Sequence, residues 1–476
     1  MKSKKQSGKQ KKKSAENESI FPVVGVGASA GGLAAFKKLL KSIQEKPGMA
    51  FLFVQHLDPD HESLLPEILQ KETKMPVVEL SGECNIEPNH IYVMPSDKLM
   101  SASGGKLRLT DRPKKNKSER ILPIDLVFSA LAEIYESHAI GVVLSGTASD
   151  GTKGLKAIKG AGGITFAQNM ESAEYNGMPG SAIQAGVVDF VLPPEEIPKK
   201  LLEIKHFIKT GDALDTPLET DEEGAFMQII TLLGVRKGTD FTYYKQTTIR
   251  RRILRRMAIN KIKKVSAYLE YLRENKEEQD TLYSDFLIPV TSFFRDQKIF
   301  ENLADQFLPD LIDNIPDDKT IRVWVAGCST GEEAYSLAIL FRELLESRSM
   351  GKFDKKVQIF ASDLSESAID RARLGIYSTA ELTGVSEKRI KKYFAKSNGN
   401  FQVIRQIRDM CVFAVHNFLK DPPFGKIDLI SCRNVLIYFE PYLQKKALST
   451  FHYVLNKKGF LLLGKSETTA GVPGLY

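Results

Sequence analysis

The chain has 476 residues, 42% apolar and 26% charged, with a formal net charge of +8. These proportions exclude a wholly disordered, collagen-like or coiled-coil chain, and the length suggests about three domains. No apolar run of about 18 residues occurs, so no membrane insertion is expected; four cysteines without CxxC spacing (Cys84, Cys328, Cys411, Cys432) suggest neither a metal site nor a disulfide framework and fit a reducing, cytoplasmic setting.

Residues 1–19 form a basic tail, with seven lysines in the first 13 residues. No apolar core follows, so the tail is not a secretory signal; it reads as disordered, and attraction to acidic surfaces is its functional alternative. Residues 20–205 alternate apolar runs with amphipathic stretches. Strands are expected at 22–27, 50–55 and 139–144, and Leu33, Phe36, Leu39, Leu40 and Ile43 follow the first at helical spacing. The polar, basic stretch 103–120 reads as a flexible loop. An acidic linker with Gly and Pro spans 206–224, and 225–288 reads as helical throughout. Residues 289–476 return to the α/β pattern, with strands near 321–326, 357–362, 411–415, 427–431 and 459–463. The expected fold is α/β: two doubly wound, mostly parallel α/β domains with a small all-helical domain between them. The sequence stops on Gly-Leu-Tyr without a stop pattern, as a fragment of something longer would.

Three strand ends of the first α/β unit carry chemistry. Gly27-Ala28-Ser29-Ala30-Gly31-Gly32 joins a strand to a helix, leaving a serine hydroxyl open beside free helix N–H groups. His56 ends the next strand, and Asp150 follows the strand at 139–144. In an open parallel sheet the carboxyl ends of neighbouring strands share one edge, so Ser29, His56 and Asp150 can converge as nucleophile, base and orienting acid. His61 is a nearby competitor, placed more naturally in a loop. The order Ser…His…Asp differs from that of the α/β-hydrolases. The blocks GASAGG, VQHLDPDH, LSGTASDGTKGLKAIKGAGG and AEYNGMPGSAI resemble the catalytic domain of chemotaxis protein-glutamate methylesterases (CheB-type) over about residues 20–195. The resemblance implies that Ser29, His56 and Asp150 are catalytic and that the substrate is a glutamate methyl ester, or a glutamine, on receptor helices. Ala30 and Thr147 stand where that family usually has Thr and Met.

A second strand-to-helix turn, Gly327-Cys328-Ser329-Thr330-Gly331-Glu332-Glu333, carries two glutamates that would repel a pyrophosphate and suit a cationic ligand such as S-adenosylmethionine. Asp363 ends the following strand, 36 residues after Gly327, where an acid suits ribose hydroxyls. The G-x-G-x-x-G of dinucleotide enzymes is missing. TSFFRD, GCSTGEEAYSLA, FASDLSESAIDRAR, HNFL and CRNVLIYF resemble chemotaxis receptor methyltransferases (CheR-type) over about residues 225–476. That resemblance implies S-adenosylmethionine as cofactor, with Thr291, Arg295, Glu333, Asp363, Asn417, Phe418, Arg433 and Asn434 lining its pocket. Within it Arg295 pairs with the methionine carboxylate, and Tyr438 sits near the transferred methyl. Pro289 replaces the Asn common in the family.

In TIRRRILRRMAINKIKK (248–264), Ile249, Ile253 and Met257 form one apolar stripe and five arginines crowd the remainder. The density suggests an anionic partner, and the resemblance implies that Arg250, Arg251 and Arg255 dock acidic, glutamate-bearing receptor helices. The leading reading is a bifunctional receptor-modifying enzyme, a fusion of a kind that usually has sensory or kinase modules further on. A non-catalytic scaffold that binds S-adenosylmethionine is the alternative, kept open by Ala30, Thr147 and Pro289. A nucleic-acid amino methyltransferase, suggested by Asp421-Pro422-Pro423-Phe424, is disfavoured because that motif precedes a strand where it should end one, and no nucleic-acid partner is expected.

Overall fold

The computed structural model describes residues 21–56, 63–113, 121–211, 220–287, 290–348, 355–397 and 399–475. The basic tail, His61 and Pro289 lie outside the described residues. The first unit runs β1 (Val23–Ala28), α1 (Gly32–Lys41), β2 (Ala50–Gln55), α2 (Leu65–Gln70), β3 (Val77–Glu79), β4 (Glu83–Cys84), β5 (Ile91–Val93), β6 (Lys98–Ser103), β7 (Lys106–Asp111), α3 (Pro123–Tyr135), β8 (Ala139–Val143), α4 (Thr152–Gly160), β9 (Ile164–Gln168), α5 (Gly177–Gln184), β10 (Phe190–Leu192) and α6 (Ile197–Gly211). Seven strands form one all-parallel sheet in the order β10-β9-β8-β1-β2-β5-β3. Both faces are covered by helices, which is why β1, β2 and β8 read as near-continuous apolar runs. One face packs on α1 and α6, the other on α3, α4 and α5. The chain leaves β1 toward β2 on one side and returns through β8 on the other. β1 is therefore a topological switch point, where α/β sheets place their sites.

Four helices follow: α7 (Thr220–Lys237), α8 (Gln246–Ile259), α9 (Val265–Glu274) and α10 (Lys276–Phe286). The last unit runs α11 (Gln297–Asn302), α12 (Leu308–Asn314), β11 (Ile321–Ala326), α13 (Glu332–Arg348), β12 (Val357–Asp363), α14 (Glu366–Leu374), β13 (Ile376–Tyr377), α15 (Glu387–Tyr393), β14 (Phe394–Ser397), β15 (Asn400–Val403), α16 (Arg405–Arg408), β16 (Cys411–Val415), β17 (Ile427–Cys432), α17 (Pro441–Val454) and β18 (Leu455–Leu463). Its parallel sheet, β16-β12-β11-β17-β18, has its own switch point at β11. The helical unit is not a separate body. The stripe Ile249, Ile253 and Met257 packs into the same core as Trp324, Ala326 and Ile430 of this second sheet.

Two sequence expectations are corrected. Residues 103–120 are not all loop: β6 and β7 pair as a hairpin from Lys98↔Asp111 to Ser103↔Lys106. Gly104 and Gly105 close it, both at positive φ (60° and 77°), as a two-residue hairpin turn requires; 114–120 lie outside the described residues. Nor is 206–224 all linker, because α6 continues to Gly211 and α7 starts at Thr220. The acidic, Gly- and Pro-bearing composition hid two helix ends, and only 212–219 remain outside the description.

Candidate functional site

Ser29, His56 and Asp150 follow β1, β2 and β8, the three neighbouring strands at the first switch point. Ala28 pairs with Gln55 on the last rung between β1 and β2. His56 N–H then donates to the Ala28 carbonyl (3.1 Å), and Ser29 N–H donates to the Ser145 carbonyl (3.0 Å). Those two bonds tie the serine turn to the strand ends on either side. Gly31, at φ 71°, swings the chain into α1, and a side chain there would lie 2.7 Å from Ser145 Oγ. Only glycine meets both conditions. The N–H groups of Ala30 and Gly31 make no hydrogen bond among the described residues, so two donors beside a helix N-terminus are left for an oxyanion.

Asp150 is 3% exposed. Its Oδ2 accepts from Ile124 N–H (3.1 Å) and its Oδ1 from Asp125 N–H (2.9 Å), both in the first turn of α3. Burial pushes the carboxyl up, and these N–H groups together with the charge of His56 oppose it. Asp125 makes the reciprocal cap. Its Oδ1 accepts from Gly154 N–H in α4 (2.7 Å), while its Oδ2 is buried without a partner among the described residues. Burial first, and the Asp150 charge second, push Asp125 up to about 7. Asp150 has N–H donors on both oxygens and an imidazole acting on it, so Asp150 carries the charge and Asp125 the proton. Sequence reasoning missed Asp125, which looks like an ordinary first-turn acid behind a helix-starting proline.

A carboxyl raised from 3.8 favours its protonated form in the fold, so stability falls as the pH climbs from 3.8 through about 7 and stays lowered above that. Asp125→Asn never ionises and is expected to flatten that fall, raising Tm on the alkaline side by about 2–4 °C for each kcal/mol recovered. Thermal melts of both proteins across the range check this. Parallel slopes would mean that Asp125 is not the proton holder.

At the second switch point, Thr291, Arg295, Glu333, Asp363, Asn417, Phe418, Arg433, Asn434 and Tyr438 all line one cavity of about 130 Å³. Asp363 Oδ2 accepts from Ser329 N–H (2.8 Å) and Oδ1 from Ser365 N–H (2.9 Å), which ties the glycine turn to the end of β12. Glu333 accepts from Ser431 Oγ (2.6 Å) and from Arg433 Nη1 (3.2 Å). Arg433, fully buried, also donates to Asp296 (2.9 Å) and to the Arg295 carbonyl (2.8 Å). Its charge is therefore already matched by two carboxylates. Burial pushes the carboxyls of Glu333 and Asp363 up, a cost that a cationic ligand would relieve.

The cavity is rich in polar atoms without partners. Arg252 Nε and Nη1, Ser329 Oγ, His416 Nδ1, Arg433 Nε and Asn434 Oδ1 all belong to lining residues. Buried polar groups ordinarily have partners, so their concentration here fits a polar ligand such as S-adenosylmethionine. In contrast, Asp421-Pro422-Pro423-Phe424 lies in the irregular segment ahead of β17, and its Phe424 ring packs on Trp324 and His416.

The arginines of α8 require a correction. Arg255 is buried between Asp189 and Asp285, where no substrate helix reaches. Arg250 pairs with Glu223, and Arg251 with Glu136 of the first unit. None of the three lines the cavity. Arg252, passed over in the sequence, does: it is 3% exposed, shares the lining with Tyr438, and keeps two N–H groups free.

Residues 24–201 match the family model for CheB methylesterase, 224–287 that for the CheR methyltransferase all-alpha domain, and 289–475 that for the CheR methyltransferase SAM binding domain. The chain is 36% identical over 433 residues to an uncharacterized 104.1 kDa protein from the hypE 3' region of Rhodobacter capsulatus, covering 86% of this chain and 44% of that protein. The chain thus spans less than half the length of that relative. It is 35% identical over 248 residues to the putative methyltransferase Cher3 of Pseudomonas putida, covering 50% of this chain and 87% of that protein. Among solved structures, the Thermotoga maritima CheB methylesterase catalytic domain is 31% identical, with 39% of this chain and 98% of that chain covered and a TM-score of 0.36.

Proposed function

We propose that this chain, which belongs to the CheR methyltransferase family and carries a CheB methylesterase domain ahead of it, both adds methyl groups to protein glutamates and removes them. The acceptors are glutamates on chemoreceptor-like helices, met in the cytoplasm. The observation that carries this reading is the pair of switch-point sites, one holding a serine, a histidine and an aspartate, the other a cavity with unpartnered polar atoms. No described helix is long and apolar enough to cross a membrane.

For removal, Ser29 Oγ attacks the ester carbonyl while His56 takes its proton. Asp150 steadies the imidazolium, and the Ala30 and Gly31 N–H groups receive the oxyanion. His56 returns the proton to the departing methoxide, and water then cleaves the acyl-serine by the same route. Glutamine deamidation is the same chemistry with ammonia leaving.

For addition, bound S-adenosylmethionine supplies an electrophilic methyl on a sulfonium. Asp363 would hold the ribose, Arg295 the methionine carboxylate, and Glu333 would offset the cofactor's positive charge. The acceptor carboxylate is already ionised at neutral pH, so no general base is needed. The remaining task is to bring it into line with the methyl. Arg252, with Nε and Nη1 free beside Tyr438, is the residue we assign to hold that carboxylate.

The test follows methyl-labelled S-adenosylmethionine given to membranes rich in chemoreceptors. Base-labile label should appear on the receptor and leave as methanol. Cofactor binding without any label would favour a binding-only scaffold. Asp363→Ala should weaken S-adenosylmethionine binding about tenfold or more, roughly 1.4 kcal/mol; unchanged affinity by calorimetry would remove Asp363 from the ribose role.

A further inference from the structure

The two α/β domains meet on α8. Arg252 Nη2 donates to the Gly160 carbonyl (3.0 Å), and Arg255 Nε donates to the Gly163 carbonyl (3.0 Å). Gly160 is the last residue of α4, so its carbonyl is one of the helix-end acceptors that lack an intrahelical partner, at the negative end of the helix dipole. Arg255 is locked from both sides. Asp189 of the esterase domain takes Nη2, and Asp285 of α10 takes Nη1 at 2.5 Å; none of the three side chains is more than 6% exposed. Around this lock, Arg251 pairs with Glu136, Lys261 pairs with Glu203 (2.8 Å), and Ala258 enters the esterase core beside Ile204 and Ile208. Lys156 of α4 also reaches across, where its charge acts on the buried Glu332 at the head of α13.

A buried arginine between two carboxylates contributes little net stability, because desolvation offsets the attraction. Its geometric use is to fix one relative placement of three elements. That placement matters because α4 has the esterase acid just before its first turn and the carbonyl that holds Arg252 at its last residue. We propose that the methylesterase domain is a working part of the methyltransferase: the Gly160 carbonyl, kept in register by the Asp189–Arg255–Asp285 lock, positions Arg252 so that its two free N–H groups face the acceptor glutamate. This rests on the role given to Arg252 above. Methyl transfer then depends on the esterase fold but not on the esterase chemistry, and Gly160, Asp189 and Arg255 are positioning residues.

The experiment uses the full-length protein with Asp189→Asn and, separately, Arg255→Lys. Three readouts are taken: transfer kinetics against receptor membranes, S-adenosylmethionine affinity by calorimetry, and ester hydrolysis. Each variant is expected to lower kcat/KM for transfer by about tenfold through the KM for the acceptor. Cofactor affinity and hydrolysis should stay within about twofold of wild type. Arg252→Ala separates the two layers of the argument. If it cripples transfer while both lock variants transfer normally, the lock is overturned and the Arg252 role stands. If Arg252→Ala itself transfers normally, the Arg252 role fails. Should hydrolysis and cofactor binding fall in step with transfer in both lock variants, the lock is merely structural and the proposal is overturned.

Discussion

Ser29→Ala in the full-length protein is expected to lower ester hydrolysis by at least about 10³-fold and to leave methyl transfer within about twofold of wild type. The first half follows from what remains when the hydroxyl is gone. The N–H groups of Ala30 and Gly31 still offer an oxyanion site, and His56 with Asp150 can still activate a water, so residual hydrolysis above the uncatalysed rate is expected. The covalent route, however, is closed. The second half follows from where Ser29 sits. It is held by Ala28, Ser145 and the start of α1, all within the esterase domain, whereas the cofactor cavity is lined from Tyr244 onward. Labelled receptor should therefore accumulate with the variant and release methanol only with wild type. Hydrolysis that survives the change would remove Ser29 as nucleophile; transfer that falls with it would mean that the chemistry of one site gates the other.

The sheet edges were legible in the sequence because switch-point geometry is a property of order and spacing alone. Three strand-to-helix turns carrying a serine, a histidine and an aspartate must meet if β1, β2 and β8 are neighbours, and they are. Of the nine residues assigned to the cofactor side, Glu333, Asp363, Asn417, Phe418, Arg433, Asn434 and Tyr438 share one cavity for the same reason, since they end or follow β11, β12, β16 or β17, whereas Thr291 and Arg295 reach it from the segment between α10 and α11. The hairpin at 98–111 was hidden by its basic composition, although Leu107 and Leu109 alternate with polar residues around a Gly-Gly turn.

The arginine helix was misread for a deeper reason. One face, Ile249, Ile253 and Met257, announces itself as apolar. A second face, Arg251, Leu254, Arg255 and Ala258, recurs at i, i+3, i+4 and i+7 and borders the esterase domain. Two of its four members are arginines, so by pattern it looks solvated. What makes it an interface is the arrival of Glu136 and Asp189 from far upstream, a long-range pairing that local pattern does not contain. Asp189 illustrates the cost and its compensation: burial pushes its carboxyl up, yet the charges of Arg255 and Lys159 outweigh that and hold it below the usual carboxylate range.

Arg252→Ala should raise the KM for the acceptor protein and cut kcat/KM for transfer by about 10²-fold, with cofactor affinity unchanged within about twofold. The size follows from truncating one partner of a buried, hydrogen-bonded charge pair, which typically costs about 2–5 kcal/mol, of which about 2.7 already gives 10²-fold. The split between KM and kcat follows from the reaction itself. The acceptor carboxylate loses its negative charge as the methyl arrives, so a guanidinium attracts it more in the ground state than in the transition state. Such an interaction cannot lower the chemical barrier by charge; it acts by capture and alignment. Arg252→Lys keeps the charge but not the fork of two N–H donors, and recovery of about tenfold of the loss is expected. Steady-state transfer at saturating S-adenosylmethionine, run across receptor concentrations, measures both parameters. A fall confined to kcat would place Arg252 on the reacting methyl side and away from the acceptor. An unchanged KM and kcat would leave its two buried N–H groups without a function, and the acceptor would then have to be held by Tyr438 and the backbone around it.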